Sequence, residues 1–524
     1  MRQTLLVGDR VRDASGILGD AILIGSGRIE ALGWAGELRR PDLAEERYPG
    51  TTIVPGLGDA HFHPSGYAAA LTRLNVSSAE SFDDVVRLVS AVAAETPDGS
   101  SIVGTRLDDE HLTERELPDR MVLDQASQSH PVLLYRYCGH VAVANTSALA
   151  EAGIDSSTPD PHGGVIDRDA SGVPTGVLRE TAIELVGDRV GGRSKGQTPD
   201  ELNRALRGLV QQGLTRLGAI VSVGQGVFCG VGDELDLLCS AAPELPLDLS
   251  VFVIAATATD LEAAANRLNR AGRRVSFAGL KVFADGSLGG QTAAMDEPYA
   301  DGPDHTGTLR FDARTVDPVA RAAIDLGGGV AIHAIGDRAN RTVLDYMASL
   351  RNDHSDALLR VEHASVLGEG DIGRFADIDV IASVQPAFMA SETDWLERRL
   401  GSARLTRTYP FRSLTDAGTV LAGGSDCPVE PPDPLMGMAA ARDRCGIIPD
   451  QAVTGTEALA MFTDGVTAAL GLPQPLALGA RAHLTLLDQD PVAVPADGLR
   501  TTRIVSTWID GDSVPIDPNA LVWS

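Results

Sequence analysis

Cysteine, basic charge and long apolar runs are all scarce in this sequence, and each shortage removes a class of protein. The five cysteines, Cys138, Cys229, Cys239, Cys427 and Cys445, are odd in number, scattered and without a C-x-x-C pair. That pattern argues against a disulfide framework or a thiolate zinc site and leaves buried thiols as the expectation. Lys and Arg number 44 against 72 Asp and Glu, for a formal net charge of −28. A polyanion needs a basic surface, so no nucleic-acid partner is expected. No uncharged run matches the roughly 20 apolar residues of a membrane span, and the longest, 217–232, is rich in glycine. The amino terminus shows no sustained apolar segment with a small-residue cleavage site, so the chain reads as cytoplasmic, with no membrane partner. There is no Walker A phosphate loop, and Gly286, Gly289 and Gly290 look like a flexible loop rather than a dinucleotide fingerprint.

What is present is a large apolar fraction, 43% of 524 residues, enough for a sizeable core and more than one domain. Both ends read as strands. Two short apolar runs flank Gly25-Ser26-Gly27, and the runs 482–488 and 502–509 read the same way. Neither end has enough strands for a stable sheet, so residues 1–50 and 476–524 are expected to form one composite β-sandwich.

Between them, in 51–475, short apolar runs alternate with amphipathic helical patterns. Candidate strands are 52–59, 215–223, 247–255, 277–284, 328–332, 358–361, 380–384 and 418–422. Thr198-Pro-Asp-Glu201 and Thr259-Asp-Leu-Glu262 read as capping boxes that start helices. Eight strands alternating with helices predict a closed (β/α)8 TIM-type barrel of the α/β class. The stretch 65–197 is too long for a crossover and is expected to hold an α+β insertion of its own, leaving from the barrel face that carries chemistry.

Ligand-type side chains recur at the strand ends. His61 and His63 close the first strand, and alternation puts both imidazoles on one side. Lys281 lies in the fourth strand, His333 ends the fifth, His363 the sixth, and Asp426 follows the eighth. The carboxyl ends of barrel strands are where such a fold does its chemistry. Nitrogen and oxygen donors of this kind suit zinc, whose bound water becomes acidic near neutral pH. Lys281 admits two readings. Carboxylated by carbon dioxide, it would bridge two divalent ions as an anion; left as an amine, it would pair with Asp285 or bind substrate.

These residues also carry a resemblance. Asp59-Ala-His-Phe-His-Pro64, Leu280-Lys-Val-Phe-Ala-Asp-Gly286, Ile332-His-Ala-Ile-Gly-Asp337, Val361-Glu-His-Ala364 and Gly424-Ser-Asp-Cys-Pro428 together resemble the amidohydrolase superfamily, in particular its family 3 branch, which includes N-substituted formamide deformylase. The resemblance implies His61, His63 and Asp426 around one metal, His333 and His363 on a second, and carboxylated Lys281 between them. The metals would be two zinc ions, with manganese or iron as alternatives. It further implies that Asp426 passes a proton from the attacking water to the leaving group. Arg136-Tyr-Cys-Gly-His140 is similar to a family stretch whose histidine faces substrate, so His140 is a candidate donor to the carbonyl, with Arg136 beside it. Gln385, ending the seventh strand, is a further candidate substrate contact. The stretches Gly104-Thr-Arg-Leu-Asp108 and Gly213-Leu-Thr-Arg-Leu-Gly218 depart from the family pattern on the substrate side, and His483 stands where an aspartate is usual.

The expected activity is hydrolysis of a C–N bond in a small molecule: an amide, an N-formyl or N-acyl amine, or a cyclic amide. Two alternatives remain, a mononuclear deaminase of a heterocycle and an inactive barrel kept as a scaffold. The deaminase reading lacks a glutamate three residues past His333, where Gly336 stands. A homodimer is expected only as the commonest symmetric assembly.

Overall fold

The computed structural model describes residues 3–161, 163–190, 197–224, 233–515, 517, 519–521 and 523. Its central sheet has eight parallel strands, Leu57–Phe62, Leu214–Ser222, Asp248–Ile254, Val275–Phe283, Gly329–Ala334, Leu359–His363, Ile381–Val384 and Leu421–Gly423, each beside the next in chain order. A parallel bridge between Phe62 and Cys427 joins the last to the first, so the sheet closes into the (β/α)8 barrel. Helices outside and packed side chains inside bury both faces, which is why the first two strands are buried at every residue and show no polar alternation.

The helix Pro199–Gln211 begins as its sequence predicts: the Thr198 side chain accepts from the Glu201 N–H, Glu201 reaches back, and Leu202, Leu206, Leu209 and Val210 are buried. The helix Ala258–Ala271 starts two residues earlier than expected. Thr257, not Thr259, is its cap, accepting from the Asp260 N–H at 3.1 Å and donating to the Asp260 carboxylate at 2.7 Å. The first threonine with an acidic partner three residues on takes the cap and leaves Thr259 inside the first turn.

The expected first strand, 52–59, is two strands in two sheets. Thr52–Pro55 pairs antiparallel with Leu484–Leu487, and the barrel strand starts at Leu57. Gly56 makes the change of sheet possible, because a Cβ there would collide with the Thr215 side chain. The terminal sheet runs in the order Asp512–Ser513, Ile504–Ile509, Leu484–Leu487, Thr52–Pro55, Gln3–Asp13, Gly16–Gly25 and Arg28–Gly33, with Ala44–Arg47 also against Gln3–Asp13. Leu6, Ile22, Ile53, Leu484, Leu486 and Trp508, drawn from both ends of the chain, share one apolar cluster of this sheet. Each such side chain stabilises by about 1.5–3 kcal/mol, so neither end holds its sheet alone.

The insertion folds around its own sheet of six strands, Gly164–Arg168, Pro174–Glu180, Val141–Ala144, Val132–Arg136, Ile102–Leu107 and Leu74–Asn75 in spatial order. Val132 and Leu134 pack on one face and Leu133 and Tyr135 on the other, the two-residue alternation of a strand covered on both sides. The expected insertion includes residues 191–196, which lie outside the described residues. Cys229 lies outside them as well; of the other cysteines, all free, Cys138 and Cys427 are buried while Cys239 and Cys445 are half-buried, short of the burial expected. Among the described residues no helix is long and apolar enough to cross a membrane.

Candidate metal centre

The barrel seam assembles the first half of the site. Asp426 donates its backbone N–H to the His61 carbonyl at 2.8 Å, and His63 donates to the Cys427 carbonyl at 3.0 Å. Asp59 fastens the same joint: its carboxylate accepts the His61 N–H at 3.0 Å, the Ser425 N–H at 3.1 Å and the Ser425 hydroxyl at 2.5 Å. As a result, Asp426 Oδ1 lies 3.3 Å from His61 Nε2 and 3.1 Å from His63 Nε2. These three buried side chains are the group, among the described residues, whose ligand atoms all lie within 4.8 Å of one another.

The hydrogen bonds fix which nitrogens are free. His61 Nδ1 is 2.6 Å from Glu362 Oε2, and a carboxylate only accepts, so Nδ1 carries the proton and Nε2 offers a lone pair. That lone pair faces the Asp426 oxygen, an arrangement that is repulsive until a cation joins them. His363 Nδ1 donates to Gln385 Oε1 at 2.7 Å, freeing its Nε2. His333 Nε2 donates to the Gly286 carbonyl at 3.0 Å, freeing its Nδ1. The rings of His333 and His363 are 4.5 Å apart, and those of His61 and His363 5.0 Å.

Charge and burial keep these donors in ligand form. Burial, with Lys281 adding to it, lowers His61 to about 4, and burial likewise holds His333 and His363 well below the usual histidine range. Burial opposes the Asp426 charge, but His61 and His63 outweigh it and keep the carboxyl well below its usual range. Lys281 is 2% exposed, and its Nζ has no hydrogen-bond partner among the described residues. Burial lowers it to about 8 against the opposing pull of Glu362 and Asp426. The suggested Lys281–Asp285 ion pair does not form: Asp285 is occupied by the N–H groups of Ala294, Ile335 and Gly336, at 2.8, 3.0 and 2.8 Å.

His363 and Asp426 both have left-handed backbones, φ 74° and 55°. Such a conformation costs on the order of 1–3 kcal/mol for a residue other than glycine and gathers at functional sites. At His363 it breaks the alternation of the sixth strand, so that Glu362 and His363, adjacent in sequence, both reach His61.

Several members were not singled out from the sequence. Arg360, fully buried, holds the Glu362 carboxylate with two nitrogens at 2.8 Å each, and Glu362 in turn orients His61. Two charges alternating in the apolar run Leu359-Arg-Val-Glu-His363 were the available signal. Glu362→Gln is expected to weaken metal binding about 10- to 100-fold, read by competition with a chromophoric chelator; unchanged affinity would show that His61 needs no anionic partner.

The insertion supplies a second wall. His140 Nδ1 bonds Glu180 Oε2 at 2.9 Å, Arg310 bonds the same oxygen at 2.8 Å, and the His140 ring is 5.7 Å from that of His333. Burial works against the His140 charge, but the Glu180 carboxylate prevails and raises it to about 9. Two expected substrate contacts sit elsewhere. Arg136 is buried against Asp109, Tyr137 and Gly289, behind the cavity lining rather than in it. Gln385 spends its carbonyl on His363, so its position orients that imidazole instead of lining the cavity.

Comparison with known proteins gives the family of the chain. The family model described as "Amidohydrolase family" matches residues 49–515. The Bacillus subtilis (strain 168) protein YtcJ is 31% identical over 511 residues, covering 94% of each chain. N-substituted formamide deformylase of Arthrobacter pascens is 30% identical over 539 residues, covering 98% of each. A crystal structure of an uncharacterized metal-dependent hydrolase from Pyrococcus horikoshii OT3 superposes with a TM-score of 0.73 at 26% identity, covering 94% of this chain and 99% of that one.

Proposed function

The chain belongs to the amidohydrolase family, and on that premise we propose that it is a hydrolase of N-formyl or N-acyl amines that works with two divalent ions, zinc in the first instance and manganese or iron in its place. Metal-dependent hydrolysis of an amide-type C–N bond is the coarse reading that family and fold support. The observation that carries the rest is His61 Nε2, left free by the contact of Nδ1 with Glu362, facing the Asp426 carboxylate at 3.3 Å, with Lys281, whose Nζ has no hydrogen-bond partner among the described residues, buried in the same barrel.

His61, His63 and Asp426 would hold one ion, His333 and His363 the other, and Lys281 would bridge them after its neutral amine adds to carbon dioxide, forming an N–C bond and releasing one proton. When bound, the ions polarise the scissile carbonyl and make water acidic enough to react near neutral pH. Asp426 would accept a proton from the attacking water and return it to the departing nitrogen. His140, held by Glu180, donates to the carbonyl oxygen as negative charge grows there. Glu180→Gln is expected to cut kcat/KM about 10- to 100-fold; a change under threefold would remove His140 from this role.

Metal counting tests the proposal. Elemental analysis should find two divalent ions per wild-type chain and one or fewer in Lys281→Ala, whereas two ions in the variant would end the bridging role. One ion per wild-type chain would favour the mononuclear deaminase. Against that alternative, a side chain at position 336 would collide with the Ala294 carbonyl, so the absent glutamate has no room there.

A further inference from the structure

The cavity over the metal centre is walled by Leu288, Ile335, Phe388 and Val429, and besides Asp426 it contains one carboxylate, Glu392. Glu392 is 8% exposed, and the hydroxyl of Tyr409 donates to its Oε2 at 2.6 Å. No cation lies within ion-pair distance of it among the described residues. The arginines whose charge reaches it make their ion pairs elsewhere: Arg399 with Asp301 and Glu110, and Arg136 through Nε with Asp109, its two terminal nitrogens having no hydrogen-bond partner among the described residues. Close by, Glu430 is 7% exposed and also has no ion pair among the described residues, adding negative charge rather than relieving it.

A buried carboxylate with one donor has acceptor sites left unfilled, and buried charges persist in proteins when they are paired. A cavity that must receive a substrate can leave the pairing to it. We propose that Glu392 forms a cation subsite and that the amide cleaved here bears a second, protonated nitrogen away from the scissile bond, making N-formyl or N-acyl diamines the substrate class. The inference rests on the amide-hydrolase reading and deepens it. Burial and Glu430 raise the Glu392 carboxyl to about 8, so an arriving ammonium displaces a proton and leaves the cavity with a neutral pair. The apolar wall suits the methylene chain between the two nitrogens. An alkyl tail in place of the ammonium would leave Glu392 as the neutral acid, gain no ion pair and leave its free acceptor site without a donor, the kind of mismatch that discriminates most strongly.

The test uses the metal-loaded enzyme and two matched series: N-formyl diamines with two to five methylenes, and N-formyl alkylamines in which a methyl replaces the ammonium. Calorimetric affinity and kcat/KM are measured for wild type and Glu392→Gln, which keeps the Tyr409 hydrogen bond. Wild type should prefer the best cationic amide over its methyl counterpart at least tenfold, and the ratio should fall to within twofold of unity in the variant. Because the ratio is taken within one protein, partial misfolding cancels from it. No preference in wild type, a preference that survives in Glu392→Gln, or binding of neither series would overturn the subsite. Tight binding of the cationic amide without turnover would instead fault the hydrolase reading and leave the subsite standing.

Discussion

Prolonged dialysis against a strong chelator is expected to abolish hydrolysis, and stoichiometric zinc or manganese to restore it. Free nitrogens on His61, His333 and His363 and the Asp426 carboxylate are held in unprotonated form inside a closed barrel, where water cannot serve them well. Without a cation, the His61 lone pair and the Asp426 oxygen oppose each other at 3.3 Å. Losing a ligand that binds only the folded state also removes stability, about 4 kcal/mol at a thousand times Kd. The melting temperature should therefore drop by several degrees and recover with activity. Full turnover by rigorously metal-free protein would refute the whole mechanism.

Asp426→Asn should lower kcat by on the order of a thousandfold, the middle of the range for losing a general acid–base group. Asparagine keeps the size of the side chain and tolerates the left-handed backbone at φ 55°, so the fold should survive. What it loses is the charge that binds the cation beside His61 and His63 and the capacity to hold a proton. Elemental analysis of the variant separates the two: retained metal with a lost rate isolates proton transfer, and lost metal isolates ligation. A rate within tenfold of wild type would remove Asp426 from the chemistry altogether.

The eight strands and the ligand-type side chains at their ends were legible because both depend on local pattern. His61 and His63 are two apart, and a strand puts such a pair on one face. The first strand misled because its apolar residues continue on both sides of Pro55-Gly56 and the break that this dipeptide marks was read through; the strand changes sheet there, with Gly56 packed against Thr215. Arg136 and Gln385 have the right types for substrate contacts, but type does not specify partner. One is committed to Asp109 and the other to His363. Glu362 and Glu180 were missed because each acts through a histidine distant in sequence, His61 being 301 residues away and His140 40.

By itself, the sequence determined the family, the barrel and the identity of the ligand-type residues, since strand periodicity and donor chemistry are properties of short segments. Only the closed tertiary structure decided which nitrogen of His61, His333 and His363 is free, that Lys281 Nζ has no hydrogen-bond partner among the described residues, and that Glu392 faces the cavity with no ion pair among them. Those are questions of protonation and counter-charge. They are settled by what lies within a few ångströms across the barrel, and the seam from Asp59 to Asp426 spans most of the chain to bring those neighbours together.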